Sequence, residues 1–304
     1  MSIYVIGNLT YDISYQIEKL PVCGETLLAN ERMVDAGGKG LNQAIAASRW
    51  GSEVHFVGPI GEDSAGEAIK SRIKSENFRI IELIIKSVPT DESIILLDSV
   101  GSNMIVSTDA AAKALVIADI QRHIGLIKRT ATILLQGNLS QQTTLECLSK
   151  FKNFQSRTIL NPSPIGFKYD EIWPLVQIAV LNEVEASQLG KSDDLDLAGK
   201  YLLELGVEIV IITLGPEGAL VIFEESRFQC TAPKTNVVDT SGAGDAFVGS
   251  LASALDFGYS MEESVKLAVN IASLTVTKRG TSSAFPSHAE IKNVRKNLFP
   301  AKNI

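Results

Sequence analysis

The chain has 304 residues, of which 45% are hydrophobic and 21% charged, a composition typical of a globular protein with a sizeable buried core. The 35 acidic and 28 basic residues give a formal net charge of −7, which disfavours nonspecific binding to nucleic acid or to anionic membranes. Cys23, Cys147 and Cys230 form neither a C-x-x-C pair nor a disulfide framework, so a reducing cytoplasm is the expected location.

Short β-branched runs alternate with segments of helical apolar spacing along most of the chain. The first run is too short for the core of a signal peptide, and no apolar stretch approaches the roughly 18 residues of a membrane span. The predicted strands are Tyr4–Gly7, Val54–Gly58, Thr132–Gln136, Thr158–Asn161, Ala179–Leu181 and Glu208–Thr213. The predicted helices among them are Gly66–Ser75, Ala118–Ile127 and Asp196–Leu205. This alternation predicts a single α/β domain over 1–304, with a doubly wound, mainly parallel sheet flanked by helices.

Two segments, about 10–36 and 90–109, interrupt this rhythm and contain few convincing helical patterns. Their predicted strands are Asp12–Ile17, Leu28–Val34, Ser93–Asp98 and Met104–Ser107, with a hairpin turn at Ser99–Ser102. Four short strands from two separate segments predict a small β-sheet that forms a lid. An exposed lid edge can pair with a second subunit, so a homodimer through the lid is one expected assembly.

Residues 237–247 read V-V-D-T-S-G-A-G-D-A-F and lead into a run of small and apolar residues with helical spacing. A Gly-Ala-Gly turn before a helix exposes unpaired backbone N–H groups, which suit a phosphate or a phosphoryl group in transit. Asp245 then lies in the first helical turn, where its carboxylate can take the proton of an attacking hydroxyl. Taken alone, the segment fits a helix-capping acid after a tight turn equally well.

Residues 36–47 read A-G-G-K-G-L-N-Q-A-I-A-A, and again glycines open a helix of small residues. Gly37 and Gly38 allow the backbone to approach a ligand closely, while Lys39 and Asn42 offer a cation and an amide on one helical face. A helix that packs through small side chains is the alternative interpretation. Neither glycine-rich segment matches the P-loop, and the first strand lacks the G-x-G-x-x-G of a nicotinamide dehydrogenase.

Taken together, G-G-K-G-x-N-Q-A at 37–44 and D-T-x-G-A-G-D at 239–245 resemble the two signature motifs of the ribokinase-like (PfkB) carbohydrate kinases. Four further motifs of that family follow in the right order: G-x-x-G-x-D-x-x-G at 58–66, N-P-S-P at 161–164, N-E-V-E-A at 182–186 and T-L-G-P-E-G at 213–218. The resemblance covers nearly the whole chain. It implies a ribokinase-like fold with a β-lid, and ATP-dependent transfer of the γ-phosphoryl group to a primary hydroxyl of a small carbohydrate.

The resemblance also implies roles for individual residues. Asp245 is the expected general base, and the backbone of Gly242, Ala243 and Gly244 is the expected anion hole. The expected substrate-binding residues are Thr10, Asp12, Gly38, Lys39, Asn42 and Asn138. The expected nucleotide-binding residues are Asn182, Thr213, Gly215, Gly218 and Asn270. Glu185 is expected to hold Mg²⁺ through water, and the expected site for a monovalent cation, K⁺, comprises Asp239, Ser241, Thr275, Gly280 and Ala284.

Two substrate-side positions depart from ribokinases. Thr10 stands where ribokinases carry Asn, and Asn138 stands where they carry a sugar-binding Glu. Because an unpaired buried polar group costs about 1–3 kcal/mol, these changes predict a pentose, ketohexose or related sugar other than ribose. A nucleoside kinase is the alternative, with Tyr11, Tyr15 and Met104 available to contact a base. A non-catalytic sugar or nucleotide sensor is a further alternative, which the complete Gly-Ala-Gly-Asp turn disfavours.

Overall fold

The computed structural model describes residues 2–99, 103–124, 131–152, 154 and 156–301. Within these residues the main sheet comprises β1 Ser2–Ile6, β4 Glu53–Gly61, β5 Ile80–Lys86, β8 Thr132–Gln136, β9 Arg157–Asn161, β10 Ile178–Asn182, β11 Ile209–Thr213, β12 Ala219–Ile222 and β13 Arg227–Cys230. Their spatial order is β13-β12-β11-β10-β9-β8-β1-β4-β5. In this spatial order the strands from β11 through to β5 pair in parallel, whereas β12 pairs antiparallel with both β11 and β13.

The second sheet of the described residues comprises β2 Thr10–Gln16, β3 Glu31–Gly37, β6 Glu92–Leu97 and β7 Asn103–Ser107, in the order β3-β2-β6-β7. The small separate sheet predicted from the sequence is therefore confirmed. β3 begins at Glu31 rather than at Leu28, whose side chain is 90% exposed. Three residues of the predicted hairpin turn, 100–102, lie outside the described residues.

The helices of the described residues flank the main sheet on both faces. They are α1 Lys39–Arg49, α2 Ser64–Ile73, α3 Ala110–Ala114, α4 Ile117–Ile124, α5 Gln141–Lys152, α6 Glu183–Gly190, α7 Leu195–Glu204, α8 Ala243–Asp256, α9 Met261–Thr275 and α10 His288–Leu298. The predicted doubly wound α/β fold is confirmed, although the last three residues of the predicted helix Ala118–Ile127 lie outside the described chain. Within that chain, every helix is too short or too polar to cross a membrane.

Strand alternation builds a separate apolar core on each face of the main sheet. Ile3 and Val5 of β1 are fully buried against the layer that contains α1 and α8. Tyr4 and Ile6 point to the other face, where they join a cluster that includes Phe151 of α5. Because successive strand side chains point to opposite faces, a central strand with helices on both sides must be apolar throughout. This explains why β1 and β8 are continuous hydrophobic runs.

A close crossing of α1 and α8 brings the two glycine-rich segments together. A β-carbon added to Gly249 of α8 would lie 2.5 Å from the backbone oxygen of Gln43 and 2.7 Å from the β-carbon of Ala46. Side chains at that position would therefore push the helices apart. Contact at glycine and alanine sets the N-terminal turns of α1 and α8 side by side, although just over 200 residues separate them in the chain.

Asp63 connects the main fold to the small sheet. Its carboxylate caps α2 by accepting the N–H of Gly66 at 2.8 Å. The same carboxylate accepts the N–H of Thr90 at 2.7 Å and the hydroxyl of Thr90 at 2.6 Å, directly before β6. The motif at 58–66 thus has a structural role here: it fixes the point where the chain enters the second segment of the small sheet.

Candidate active site

A cavity of about 650 Å³, the larger of the two described here, lies between the C-terminal end of β11 and helices α8 and α9. Three residues predicted to contact a nucleotide line this cavity: Thr213, Gly215 and Gly218. Ala243 and Gly244 line it as well, so the predicted anion hole opens into the same space. The cavity thus combines an apolar wall with a helix N-terminus, the arrangement needed for a flat ring system that carries phosphates.

Helix α9 presents apolar and small side chains to this cavity rather than Asn270. Its lining residues are Val269, Ala272, Ser273 and Val276, whose spacing places them on one helical face. Asn270 is not among the lining residues, and its side-chain amide donates to the backbone oxygen of Lys266 at 2.8 Å. The structure therefore does not bring Asn270 together with Thr213 and Gly215.

The Gly242–Gly244 turn starts α8. Gly242 is the N-terminal cap of the helix and has a φ of 74°, a left-handed conformation that favours glycine. The N–H groups of the first helical turn lack intrahelical acceptors, and they carry the positive end of the helix dipole. A β-carbon added to Gly244 would meet no heavy atom within 4 Å. This position is therefore open for an anion to approach the backbone.

Asp245 lies in the first turn of α8 and is only 6% exposed. Its Oδ2 accepts a hydrogen bond from Nδ2 of Asn42 at 3.1 Å, and its Oδ1 accepts one from Nε2 of Gln43 at 3.0 Å. The predicted base and the predicted substrate residue Asn42 are thus in direct contact. The interpretation of Asp245 as a simple helix cap does not fit, because Gly242 is the cap and its helix has no capping side-chain bond.

A second cavity, of about 350 Å³, lies beneath the small sheet. Asp12, Asp35 and Asp239 line it, together with Ser241 and Gly280 among others. Since Ser241 borders this cavity and residues 243–244 border the larger one, the turn that carries Asp245 runs between the two. A group in the smaller cavity can therefore meet a group in the larger one at this turn.

Asp12 is the most perturbed carboxyl group at the smaller cavity. Its pKa is raised to about 6, mainly by burial and also by the nearby carboxylates of Asp35 and Asp245, while hydrogen bonds from Thr10 and Ser93 lower it in part. The hydroxyl of Thr10 donates to Oδ1 of Asp12 at 2.5 Å, so its only proton is used within the protein. Thr10 can still accept a hydrogen bond from a ligand, but it cannot donate one as an amide would.

The remaining predicted substrate residues lie around the start of α1 and after β8. Gly38 has a φ of 95°, and a β-carbon there would lie 2.9 Å from the α-carbon of Leu9. Lys39 is the first residue of α1. Oδ1 of Asn42 and Oδ1 of Asn138 are buried without a hydrogen-bond partner among the described residues. Such orphaned acceptors are costly unless a ligand donates to them, and hydroxyl groups can do so.

Asn182 and Glu185 form a reciprocal pair at the start of α6. Oδ1 of Asn182 accepts the N–H of Glu185 at 2.8 Å, and the carboxylate of Glu185 accepts the N–H of Asn182 at 3.0 Å. This is a capping box, which accounts for both residue types without any ligand. Each side chain keeps further oxygen lone pairs, and oxygen ligands are those that Mg²⁺ prefers.

Asp239 joins the two loops of the predicted monovalent-cation site. One carboxylate oxygen accepts the N–H of Ser241 and the other the N–H of Gly280, each at 2.9 Å. The other two predicted members are Thr275, the last residue of α9, and Ala284, in a short helical turn. In the described part of the chain, no group of three or more His, Cys, Asp or Glu side chains is arranged to hold a metal.

Arg49 is a residue of this region that the sequence analysis did not identify. Its guanidinium donates to the backbone oxygens of Ser282 and Phe285, each at 2.9 Å, and it forms an ion pair with Glu76 at 3.0 Å. These bonds fix the loop that contains Ala284 against the end of α1. The sequence carries no sign of this contact, because its partners are backbone carbonyls more than 230 residues away.

Three relatives show what the whole chain is similar to. The ribokinase of Dictyostelium discoideum is 30% identical over 314 residues, covering 95% of this chain and 99% of that protein. The deoxyribokinase of Salmonella typhi is 31% identical over 296 residues, covering 94% and 96%. The bifunctional ribokinase/ribose-5-phosphate isomerase A of Fructilactobacillus sanfranciscensis is 31% identical over 300 residues, which are 96% of this chain and 56% of that protein.

Solved structures share the fold over nearly its full extent. The ribokinase of Thermotoga maritima superposes with a TM-score of 0.87 at 31% identity, covering 98% of this chain and 100% of the other. The ribokinase of Arabidopsis thaliana, solved with ribose and ATP, has a TM-score of 0.83 at 27% identity, covering 97% and 98%. The model of the pfkB family carbohydrate kinases matches residues 1–288. This chain therefore belongs to the pfkB family of carbohydrate kinases, phosphotransferases with an alcohol group as acceptor.

Proposed function

We propose that this sugar kinase transfers the γ-phosphoryl group of ATP to a primary hydroxyl of an unphosphorylated sugar, with Asp245 as the general base. The observation that carries the proposal is the position of Asp245. It lies in the first turn of a helix whose N-terminal residues Ala243 and Gly244 line the larger cavity, and Ser241, just before the helix cap, lines the smaller one. A base, an anion hole and two ligand cavities thus meet at the start of one helix.

ATP fits the larger cavity. Val269, Ala272 and Val276 offer an apolar wall for the adenine ring, and Gly215 and Gly218 leave room for the ribose and phosphates. The Arabidopsis ribokinase was solved with ATP, which supports a nucleotide in the corresponding space here. The terminal phosphate then lies at the Gly-Ala-Gly turn, where N–H groups and the helix dipole favour negative charge.

The chemical step follows from this placement. The acceptor oxygen attacks the γ-phosphorus as the bond from phosphorus to the bridging oxygen of ADP breaks, and the hydroxyl proton moves to Asp245. The backbone N–H groups of the predicted anion hole, Gly242, Ala243 and Gly244, stabilise the charge on the phosphoryl oxygens. Asn182 and Glu185 are the residues that would hold hydrated Mg²⁺, which supplies charge neutralisation to the nucleotide phosphates.

The charge of the smaller cavity favours a neutral acceptor. Asp12, Asp35 and Asp239 line it, and none of its described lining residues is Lys or Arg. A sugar phosphate would bring its own negative charge toward these carboxyl groups, and among the predicted substrate residues only Lys39, outside the cavity lining, is a cation. Hydroxyl groups instead suit the carboxylate of Asp12 and the orphaned amide oxygens of Asn42 and Asn138.

The same side chains support an acceptor other than ribose. The Thr10 hydroxyl donates to Asp12, so it offers a sugar only an acceptor. Asn138 offers an amide in place of a carboxylate. A nucleoside is the alternative acceptor, with Tyr11, Tyr15 and Met104 available to contact its base, and the acceptor panel below separates the two.

A panel of acceptors tests the proposal. ATP consumption is measured with pentoses, 2-deoxypentoses, ketohexoses, sugar phosphates and nucleosides, with magnesium and potassium present. Preferential turnover of one unphosphorylated sugar other than ribose is expected. Preferential turnover of a sugar phosphate or a nucleoside would contradict the proposed acceptor class, and preferential turnover of ribose would contradict the reading of Thr10 and Asn138.

We further propose a K⁺ site at the loops joined by Asp239. Carboxylate and backbone carbonyl oxygens suit a hard monovalent cation, and Arg49 and Asp239 already hold both loops in place. Activity and thermal stability are compared in potassium and in sodium-only buffers. We expect both activity and thermal stability to be higher in potassium. Equal activity and equal stability in the two buffers would contradict a K⁺ site here.

A further inference from the structure

A chain of buried amide side chains ends on the carboxylate of Asp245. Nε2 of Gln136 donates to Oε1 of Gln43 at 2.8 Å. Nε2 of Gln43 donates both to Oδ1 of Asn161 at 3.1 Å and to Oδ1 of Asp245 at 3.0 Å. Gln43 and Gln136 are fully buried, and Asn161 is 8% exposed. The chain links the ends of β8 and β9 to the first turns of α1 and α8.

The direction of every amide in this chain is determined by its neighbours. Nδ2 of Asn161 donates to the backbone oxygen of Val180 at 2.9 Å, so its Oδ1 must be the atom that faces Gln43. Gln43 must then present its nitrogen to Asn161, and the same nitrogen has a second proton for Asp245. Its oxygen is occupied by Gln136. A rotated Gln43 amide would set oxygen against oxygen at both Asn161 and Asp245.

The two oxygens of Asp245 therefore have different surroundings. Oδ1 is bonded to Gln43, whose other partners are the interior residues Gln136 and Asn161. Oδ2 is bonded to Asn42, whose own oxygen is buried without a partner among the described residues. Since Asn42 is a predicted substrate-binding residue, Oδ2 is the carboxylate oxygen on the expected substrate side. The carboxylate is thus held from the interior at Oδ1 and faces the acceptor with Oδ2.

We propose that Gln43 is a positioning residue for the general base: it fixes the carboxylate plane of Asp245 so that Oδ2 takes the acceptor proton. This inference rests on the proposed role of Asp245. Asn161 and Gln136 act one step further away, by fixing the direction of the Gln43 amide. Because all of these groups are neutral, they orient the carboxylate without the charge neutralisation that a Lys or Arg partner would bring.

The role assigned to Gln43 predicts where a defect appears in the kinetics. Gln43→Leu removes the donor to Oδ1, and we expect kcat to fall about 10- to 100-fold because the base is misplaced. The KM values for ATP and for the best acceptor of the panel should stay within about twofold, because Gln43 lines neither cavity. Circular dichroism and ATP binding report whether the variant folds.

Gln43→Glu keeps the shape and changes the protonation chemistry. A carboxyl group 3.0 Å from Asp245 is expected to share one proton with it. While that proton is present, Glu at position 43 can donate to Oδ1 of Asp245 as Gln43 does. Its single proton leaves Oδ1 of Asn161 without its donor, so only part of the activity is retained. As the pH rises and the shared proton is lost, kcat should decline. This decline should begin at a lower pH than any alkaline decline of kcat in the unaltered enzyme. This variant tests the proposal even where Gln43→Leu does not fold.

Ser253→Ala is the matched control in the same helix crossing. Its hydroxyl is buried and donates to the backbone oxygen of Ala47 at 3.3 Å, with no connection to Asp245. Unchanged kcat is expected there. A kcat within about twofold of normal in folded Gln43→Leu, a loss confined to KM, or an unshifted pH profile in Gln43→Glu would overturn the positioning role. Retained turnover in Asp245→Asn would instead overturn the proposed base, so the two failures are distinguishable.

Discussion

At the residue scale, polar side chains on the substrate side divide between those already bonded within the protein and those left with a free acceptor. Thr10 belongs to the first group, because its hydroxyl donates to Asp12. Asn42 and Asn138 belong to the second, since each has a buried oxygen without a partner among the described residues. A ligand rich in hydroxyl donors satisfies the second group without disturbing the first. This division is the chemical basis for expecting a sugar.

Asp12 should make acceptor binding depend on pH. Its pKa in the folded protein is about 6, above the ordinary value of 3.8, so the folded state holds a proton that the unfolded state has lost between about pH 4 and pH 6. The contribution of this group to stability is therefore present below pH 4 and lost as the pH rises through 6. The affinity for the acceptor should instead increase as the pH rises through 6, because only the ionised carboxylate accepts hydrogen bonds at both oxygens.

We expect the affinity for the acceptor to weaken by about fivefold between pH 6 and pH 5, as Asp12 becomes protonated. Calorimetric titration of the acceptor measures this directly, with ATP titrated in parallel as the control. The Asp12→Asn variant should bind the acceptor more weakly, and its affinity should not depend on pH in this range. A pH dependence that persists in the Asn variant would assign the titration to another group.

Gly244 offers a test of the anion hole that leaves the fold intact. A β-carbon at this position would meet no protein atom within 4 Å, and it would point into the space assigned to the phosphoryl group. Because alanine is a better helix former than glycine, Gly244→Ala should unfold at the same or a higher temperature. Its kcat should nevertheless fall by at least about tenfold. Thermal denaturation and steady-state kinetics measure the two effects, and normal turnover would show that the phosphoryl group lies elsewhere.

At the scale of elements, the fold was predictable where one strand or helix carries its own pattern. The apolar runs at Thr132–Gln136 and in β1 required burial on both faces, and the structure confirms them as central parallel strands. The edge strands β5 and β13, and β12 next to β13, were not predicted. β5 is partly exposed along its length, and β12 and β13 lie at the antiparallel end of the sheet, where short runs carry a weak signal.

The candidate site shows the same limit. The glycine-rich motifs indicated which residues gather there, including Asp245, Asn42 and Asp12. They did not indicate that Gln43 bonds Asp245 or that Arg49 holds the loop near Ala284. Both contacts depend on how α1 crosses α8 and the C-terminal loops, and a tertiary crossing leaves no periodic signal in sequence.

Gly249 tests the importance of the α1–α8 crossing. Gly249→Ala forces the two helices apart at backbone atoms, so we expect a loss of stability of about 1–3 kcal/mol together with a lower kcat. Denaturant unfolding and kinetics measure these effects. Gly166→Ala is the control, because a β-carbon there meets its nearest heavy atom only at 3.6 Å. Normal stability in Gly249→Ala would mean that the crossing tolerates a wider separation.

At the scale of the whole molecule, the small sheet exposes an apolar surface that stands apart from the two core clusters. On the face away from the smaller cavity, its most exposed apolar side chains are Ile94, Met104 and Val106, at 46% to 67% exposure. A second copy of the chain is the partner that we predict for this sheet. Sedimentation equilibrium is expected to give a dimer that Val106→Asp weakens, and a monomer at micromolar concentration would contradict this assembly.

The central claim is that Asp245 removes the proton from the acceptor hydroxyl. Asp245→Asn keeps the size of the side chain. Its amide oxygen can accept the hydrogen bond from Gln43, and its amide nitrogen then faces Asn42, whose unpartnered oxygen can turn to accept from it. The measurement is single-turnover phosphoryl transfer to the best acceptor of the panel, with ATP affinity determined in the same samples. We predict a rate at least about 1000-fold lower, with ATP affinity within about threefold of normal. Phosphoryl transfer within tenfold of the unaltered rate would contradict the account.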